Sequence, residues 1–181
     1  MWFCTNNGLL TIDTRLKDFF CYRHDPNENS ADFIYGLYMH PQINPFLLYK
    51  MMNKDSFKPI FEDLLSKNIK YVFEENGKSI GMFKLIPLTY RCSHIAYLGG
   101  VAIDIKYAGK GYGSKMITEI IEYGKQQNFL RIELSASVEN IKAVHLYEKC
   151  GFVKEGVLRK YGYYESENRF LDEVMMSWLG E

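Results

Sequence analysis

The chain has 181 residues, carries 22 Lys and Arg against 22 Asp and Glu, and is 47% apolar and 15% aromatic. A chain of this length buries roughly 70% of its unfolded surface as one domain, so folding calls for neither disulfides nor a structural metal. Zero formal charge excludes bulk electrostatic capture of nucleic acid or anionic membrane, and the apolar content excludes a disordered chain.

The start, Met1-Trp-Phe-Cys-Thr-Asn-Asn-Gly8, has no basic region ahead of an apolar one, and no apolar run reaches the ~18 residues of a membrane span. A cytoplasmic protein is expected. Cys4, Cys21, Cys92 and Cys150 are scattered, as are His24, His40, His94 and His145, so reduced thiols and no metal site are expected. Without repeats or linkers, residues 1–181 read as one domain, with about 1–14 an N-terminal extension.

Along the chain, Arg15 to Arg23 reads as a first strand. Asp32 to Met39 has helical apolar spacing, stopped by Pro41 and Pro45. Asp55 or Ser56 is a plausible cap for a second helix that buries Phe57, Ile60, Phe61, Leu64 and Leu65, with Pro59 in its first turn. Tyr71–Glu74 and Ser79–Ile86 read as strands joined at Asn76-Gly77, a hairpin turn signal. His94 to Asp104 is a further strand, and Gly99-Gly100 inside it marks a bulge or a close backbone approach. Glycines at 109, 111 and 113 then open a helix with Met116, Ile117, Ile120, Ile121 and Gly124 on one face. An alternating strand follows from Leu130 to Val138. Asn140 can cap a short helix that ends at Gly151, and two final strands run over about 152–163 and 170–178. The order β-α-α-β-β-β-α-β-α-β-β is an α/β (α+β) arrangement with a mostly antiparallel first half.

Val101-Ala-Ile-Asp-Ile-Lys-Tyr-Ala-Gly-Lys-Gly-Tyr-Gly-Ser-Lys115 carries the chemistry. A strand passes through a glycine turn into a helix N-terminus, whose free N–H groups favour an anion, and Lys106, Lys110 and Lys115 add positive charge. A phosphate-bearing ligand follows. The Walker P-loop pattern cannot be laid over this stretch. The dinucleotide fingerprint nearly fits: Gly109 and Gly111 are in place, Ser114 replaces the third glycine, and Glu133 lies about 20 residues further on, near where a ribose-binding acid is expected. An NAD(P)-binding oxidoreductase is therefore one alternative.

Lys110-Gly-Tyr-Gly-Ser114 together with Asn140-Ile-Lys-Ala-Val-His-Leu-Tyr-Glu-Lys-Cys-Gly-Phe152 resembles the GNAT superfamily of acyl-CoA-dependent N-acetyltransferases, over roughly Ile80 to the C-terminus. Glu155-Gly-Val-Leu-Arg and Asp172-Glu-Val-Met-Met further resemble the branch that acetylates protein N-termini, amino acids and small amines. The resemblance implies a central mixed, mostly antiparallel sheet flanked by helices and splayed at the Gly99-Gly100 strand. It implies acetyl-CoA as cosubstrate and no metal. Backbone N–H groups of Ala108, Gly109, Lys110, Gly111, Tyr112, Gly113 and Ser114 would cradle the coenzyme A pyrophosphate. Val101, Ala102 and Ile103 would pair with the pantetheine, Asn140 would hydrogen-bond it, and Tyr147 would sit beside the thioester sulfur. The family's turn usually opens with Gln or Arg where this chain has Ala108, which removes one side-chain contact to phosphate.

By the same resemblance an amine is acetylated in a ternary complex, and Tyr147, a phenol of ordinary pKa about 10, protonates the departing thiolate. The position where some relatives place a glutamate base is Tyr97. Glu133, Asp104, Glu139 or water remain as candidates for that role. Tyr35, Tyr38, Phe46 and Tyr49 on one side, with Tyr161, Tyr163, Tyr164, Glu165 and Glu167 on the other, suit a cationic amine. The expected partner is a small-molecule amine or a peptide N-terminus, with no nucleic acid or membrane, acted on by a monomer or homodimer. A non-catalytic acyl-CoA-binding module is the remaining alternative.

Overall fold

The computed structural model of the chain describes residues 22–23, 28–47 and 49–180. The expected extension over 1–14 and most of the strand expected at 15–23 lie outside the described residues; Tyr22–Arg23 forms β1. The next element, α1, spans Glu28–Tyr38 and buries Ile34, Leu37 and Tyr38. Helix α2 spans Lys54–Ser66 and buries Phe57, Phe61 and Leu64. Its cap is Asn53, not Asp55 or Ser56: the Asn53 side chain accepts from the Ser56 N–H at 2.9 Å. The helix therefore starts earlier than expected, and Pro59 falls in its second turn rather than its first.

Strands β2 (Lys70–Glu75) and β3 (Lys78–Pro87) form the expected hairpin, with Asn76 at φ 50° and Gly77 at φ 72°. Two left-handed residues give the turn whose twist matches the strands it joins. Then follow β4 (Ile95–Ile103), α3 (Tyr112–Gln126), β5 (Arg131–Ser137), α4 (Ile141–Lys149), β6 (Val153–Tyr164) and β7 (Arg169–Leu179). Among the described residues the sheet has seven strands in the order β1-β2-β3-β4-β5-β7-β6, and only β4 with β5 is parallel. The expected mixed, mostly antiparallel sheet is therefore observed. A doubly wound dinucleotide fold would need a series of parallel strands, and this sheet does not supply one.

Alternation along the strands separates two faces. Phe83, Leu98, Ile132, Leu134 and Met176 pack with Met116, Ile117 and Ile120 of α3 and with Val144 of α4. Val72, Met82 and Ala102 on the opposite face pack with α1 and α2. No helix among the described residues is long and apolar enough to cross a membrane.

The parallel contact between β4 and β5 runs only through Ile95↔Arg131, Ala96↔Ile132 and Tyr97↔Glu133; beyond Tyr97 the two strands part. There the β3–β4 register also shifts, with Lys84 opposite Gly99 and Met82 opposite Ala102, so β4 carries one extra residue. Gly100 takes φ 57° in this bulge. A Cβ on it would lie 2.9 Å from the Tyr38 hydroxyl and 3.2 Å from Lys84 Cε, so only glycine fits.

Candidate active site

The parting leaves Val101, Ala102 and Ile103 paired with β3 on one side and, among the described residues, with no strand on the other. An open strand edge is a template for the amides of an extended ligand. At the end of β4, Asp104 caps the short turn Ile105–Tyr107, and Ala108 is extended and exposed. Gly109 and Gly111 are left-handed, at φ 74° and 85°, and a Cβ on either would meet no atom within 4 Å. Conformation, not crowding by protein, requires glycine at both.

Gly111 is the cap of α3 and has no side chain to accept from the first turn, so the N–H groups of Tyr112, Gly113 and Ser114 lack a side-chain cap. An uncapped helix start behind an open glycine turn fits a pyrophosphate, and the free edge of β4 fits a pantetheine. Gly113 has a different role from its neighbours: a Cβ there would come within 3.1 Å of Leu146, so this glycine lets α3 approach α4. The positive charge is smaller than expected. Lys115 is held by Glu75 at 3.0 Å and Lys106 lies 4.0 Å from Asp104; Lys110 donates to the Lys106 carbonyl.

Asn140 caps α4, its side-chain oxygen accepting from the Ala143 N–H at 3.2 Å, and its amide donors have no partner among the described residues. Seven residues on, two helical turns, Tyr147 is buried with its ring 5.8 Å from that of Phe152. Burial, reinforced by Tyr97 and Cys150, holds its phenol well above the ordinary range. Tyr147 is thus held in its protonated form, able to donate a hydrogen bond. Among the described residues nothing takes its hydroxyl proton.

On the α1/α2 face the parted strands flank an open cleft lined by Tyr38, Phe46, Leu47, Tyr49, Lys84, Tyr97, Gly99, Gly100, Ser135 and Glu173. The Tyr97 hydroxyl lies 3.0 Å from Ser135 Oγ, bridging β4 and β5 just where they separate. A second hollow lies between Phe46, Ser137, Glu139, Tyr164, Glu167 and Arg169.

None of the three carboxylates left as candidate bases lines the cleft, and each is engaged elsewhere. Glu133 accepts from Arg131 Nε at 2.9 Å. Asp104 accepts from the Lys106 N–H. Glu139 takes both ends of the Arg169 guanidinium, at 2.6 and 3.0 Å. The aromatic expectation divides in the same way. Tyr38, Phe46 and Tyr49 line the cleft, whereas Tyr35 donates to the Met52 carbonyl and packs on Phe57. Tyr164 and Glu167 line the second hollow, Tyr163 donates to Asn168, and Glu165 pairs with Lys50.

Two charged cleft residues escaped the sequence reading, Glu173 and Lys84. Alternation in Asp172-Glu-Val-Met-Met176, with Val174 and Met176 buried, puts Glu173 on the face of Ser135 and Ser137, and that signal was available. Alternation equally puts Lys84 beside Met82 on the α1/α2 face.

A sheet opened at one parallel contact, with an uncapped helix start at one end of the opening and a polar cleft beside it, defines an acyl-coenzyme A-binding scaffold. The family model for the acetyltransferase (GNAT) family matches residues 31–152. The chain belongs to that family. It is 37% identical over 105 residues to a spermidine N(1)-acetyltransferase of Vibrio cholerae, covering 54% of this chain and 60% of the relative. It is 36% identical over 90 residues to an L-amino acid N-acetyltransferase of Escherichia coli, covering 48% and 52%. The chain thus spans less than two thirds of either curated relative. The solved structure of a Vibrio cholerae spermidine N-acetyltransferase in complex with CoA and spermine superposes with a TM-score of 0.74 at 27% identity, over 88% of this chain and 95% of that one.

Proposed function

We propose that the chain transfers an acetyl group from acetyl-CoA to the primary amine of a small molecule, in a ternary complex. The carrying observation is the parting of β4 and β5 at Tyr97, which opens the edge of Val101–Ile103 beside a buried tyrosine donor. Acetyl-CoA supplies the acyl group as a thioester: the amine nitrogen bonds the acyl carbon, the carbon–sulfur bond breaks, and the amine's proton balances the one the thiolate gains. Residues Ala108 to Ser114 bind the pyrophosphate through backbone N–H groups, and Val101, Ala102, Ile103 and Asn140 bind the pantetheine. Ala108 offers backbone only. An N–H on the open edge around Ala102 faces the thioester carbonyl and stabilises its developing charge.

Tyr147 gives the thiolate its proton. Its raised pKa does not disqualify it, because the desolvation that holds the phenol neutral also makes a thiolate beside it more basic. With Glu133, Asp104 and Glu139 engaged, the amine loses its proton to water in the cleft. The names of the two curated relatives, one for spermidine and one for L-amino acids, both describe small amines as acceptors.

Release of free thiol from acetyl-CoA across a pool of amines tests the reading. Tyr147→Phe is expected to lower kcat by about a hundredfold or more with little change in acetyl-CoA affinity. An unchanged kcat would remove Tyr147 from the chemistry. Tight acetyl-CoA binding with no turnover on any amine would favour the non-catalytic module.

A further inference from the structure

We propose that the cleft selects a zwitterionic primary amine, a small amino acid rather than a polyamine, with its carboxylate on Lys84 and its amine toward Glu173; this rests on the acetyl-transfer reading above. Lys84 stands on β3 opposite Gly99, and its stem lies over the glycine bulge. Its ammonium is 5.5 Å from the centre of the Tyr49 ring, and among the described residues it has no anion within 4.0 Å and no hydrogen bond. The residue directly across the hairpin is another lysine, Lys70, fully buried and donating to the Tyr38 hydroxyl at 3.3 Å, so no counter-ion lies beneath Lys84. Glu173 lines the same cleft from β7. Among the described residues it has neither a cation within 4.0 Å nor a hydrogen-bond donor.

Two half-buried, opposite charges therefore line one cleft without pairing with each other or with any other described residue. Unpaired charge withdrawn from water is costly, and one ligand carrying both signs relieves both costs. The orientation follows from the neighbours. Glu173 lines the cleft together with Tyr97 and Ser135, whose hydroxyls meet where β4 and β5 part, so an amine directed at Glu173 lies toward that opening, where the acetyl-transfer reading puts the thioester. Lys84, against the bulge, is left for the carboxylate.

A polyamine fits these charges poorly. It brings several cations to a cleft with one unpaired carboxylate and one lysine. The neighbouring acids are neutralised already: Glu139 and Glu167 by Arg169, and Glu165 by Lys50.

The experiment compares kcat/KM for L-amino acids, their carboxamides and spermidine with acetyl-CoA as donor. The best amino acid is expected to exceed its own carboxamide by about tenfold to a hundredfold, the range of a charge-assisted contact, and to exceed spermidine. Lys84→Gln is expected to bring the acid-to-amide ratio close to one, and Lys84→Arg to keep it. Glu173→Gln is expected to raise KM for acid and amide alike. Equal use of acid and amide, a preference for spermidine, or an intact ratio in Lys84→Gln would overturn the proposal. The wild-type ratio decides alone where a variant does not fold. Should no amine be acetylated, the acetyl-transfer reading fails by itself. Thermal stabilisation of the CoA-loaded protein by amino acids against their carboxamides then decides the charge pairing, and equal shifts or none overturn it.

Discussion

The two faces of the sheet are built from different materials. Under α3 and α4, the buried side chains are Ile, Leu, Val, Met, Ala, Phe and Tyr, and no charged group is buried among them. Every buried polar side chain among the described residues lies on the other side: Lys70, Ser137 and Ser177 on the α1/α2 face of the sheet, and Asn44 in the segment after α1. Asn44 is fully employed there, donating to the Tyr38 and Tyr49 carbonyls at 2.7 and 2.8 Å. One face thus supplies most of the hydrophobic stabilisation, while the other gives up apolar burial to shape a cleft. The division explains how β4 and β5 can part without unfolding the sheet. Leu98 on β4 and Leu134 on β5 stay buried in the same cluster under α3, so the open edge is closed from one side.

The largest stability effect should therefore come from the apolar face. Ile120 is fully buried in the middle of α3, and Ile120→Ala removes apolar area and leaves a cavity. A loss of about 2–5 kcal/mol in urea unfolding is expected. A loss below about 1 kcal/mol would mean that the face repacks freely and that the contrast is false.

The opposite sign is expected at Lys70. Burial first, and Lys84 second, push its pKa well below the ordinary 10.5. From that lowered pKa up to about 10.5 the unfolded chain binds a proton that the folded chain does not, so stability rises with pH across the window. Lys70→Met keeps the volume and removes the cost of discharging the amine. It should be more stable than the wild type at neutral pH, by about 1 kcal/mol or more, and its stability should lose the rise toward alkaline pH. Ile120→Ala should keep that rise. An unchanged pH slope in Lys70→Met would show that the lysine stays charged in the fold.

The same division governs what could be read in advance. The glycine turn, the Asn140 cap and the α3 face with Met116, Ile117 and Ile120 are local features, set by backbone conformation and a 3.6-residue period within one stretch of chain. They were legible. The charged lining of the cleft depends on register and strand order. Glu173 reaches it because β7 inserts between β5 and β6, and Lys84 because a bulge puts Gly99 opposite it. Alternation gives each residue its face, but no local pattern brings the two into one cleft. Glu133 is instructive in another way, since Arg131 lies two residues away on the same strand face and pairs with it. Alternation alone foretold that pair. The α2 cap failed for another reason: Asn53, Asp55 and Ser56 all suit the position, and only the backbone selects Asn53.

The smallest effect should come from the polar cluster at the rim of the α1/α2 face, and it marks where burial stops mattering. Glu155 on β6 accepts two hydrogen bonds from Arg131, at 2.7 and 2.6 Å, and one from the Ser177 hydroxyl at 2.6 Å. These donors, Arg131 first, hold its carboxyl at about 2 against an ordinary 4.5. Its folded pKa is depressed, so the stability it contributes is complete above about 4.5 and is lost as pH falls toward 2. The Glu155 side chain is 39% exposed, however, and water screens the pair. Glu155→Gln should therefore cost less than about 1 kcal/mol at neutral pH, even though the hydrogen bonds are short. It should also make the acid-side fall in stability shallower between about pH 4.5 and 2. A neutral-pH loss as large as that of Ile120→Ala would show that this rim is as dry as the core beneath α3, and the boundary between the two kinds of surface would have to be moved outward.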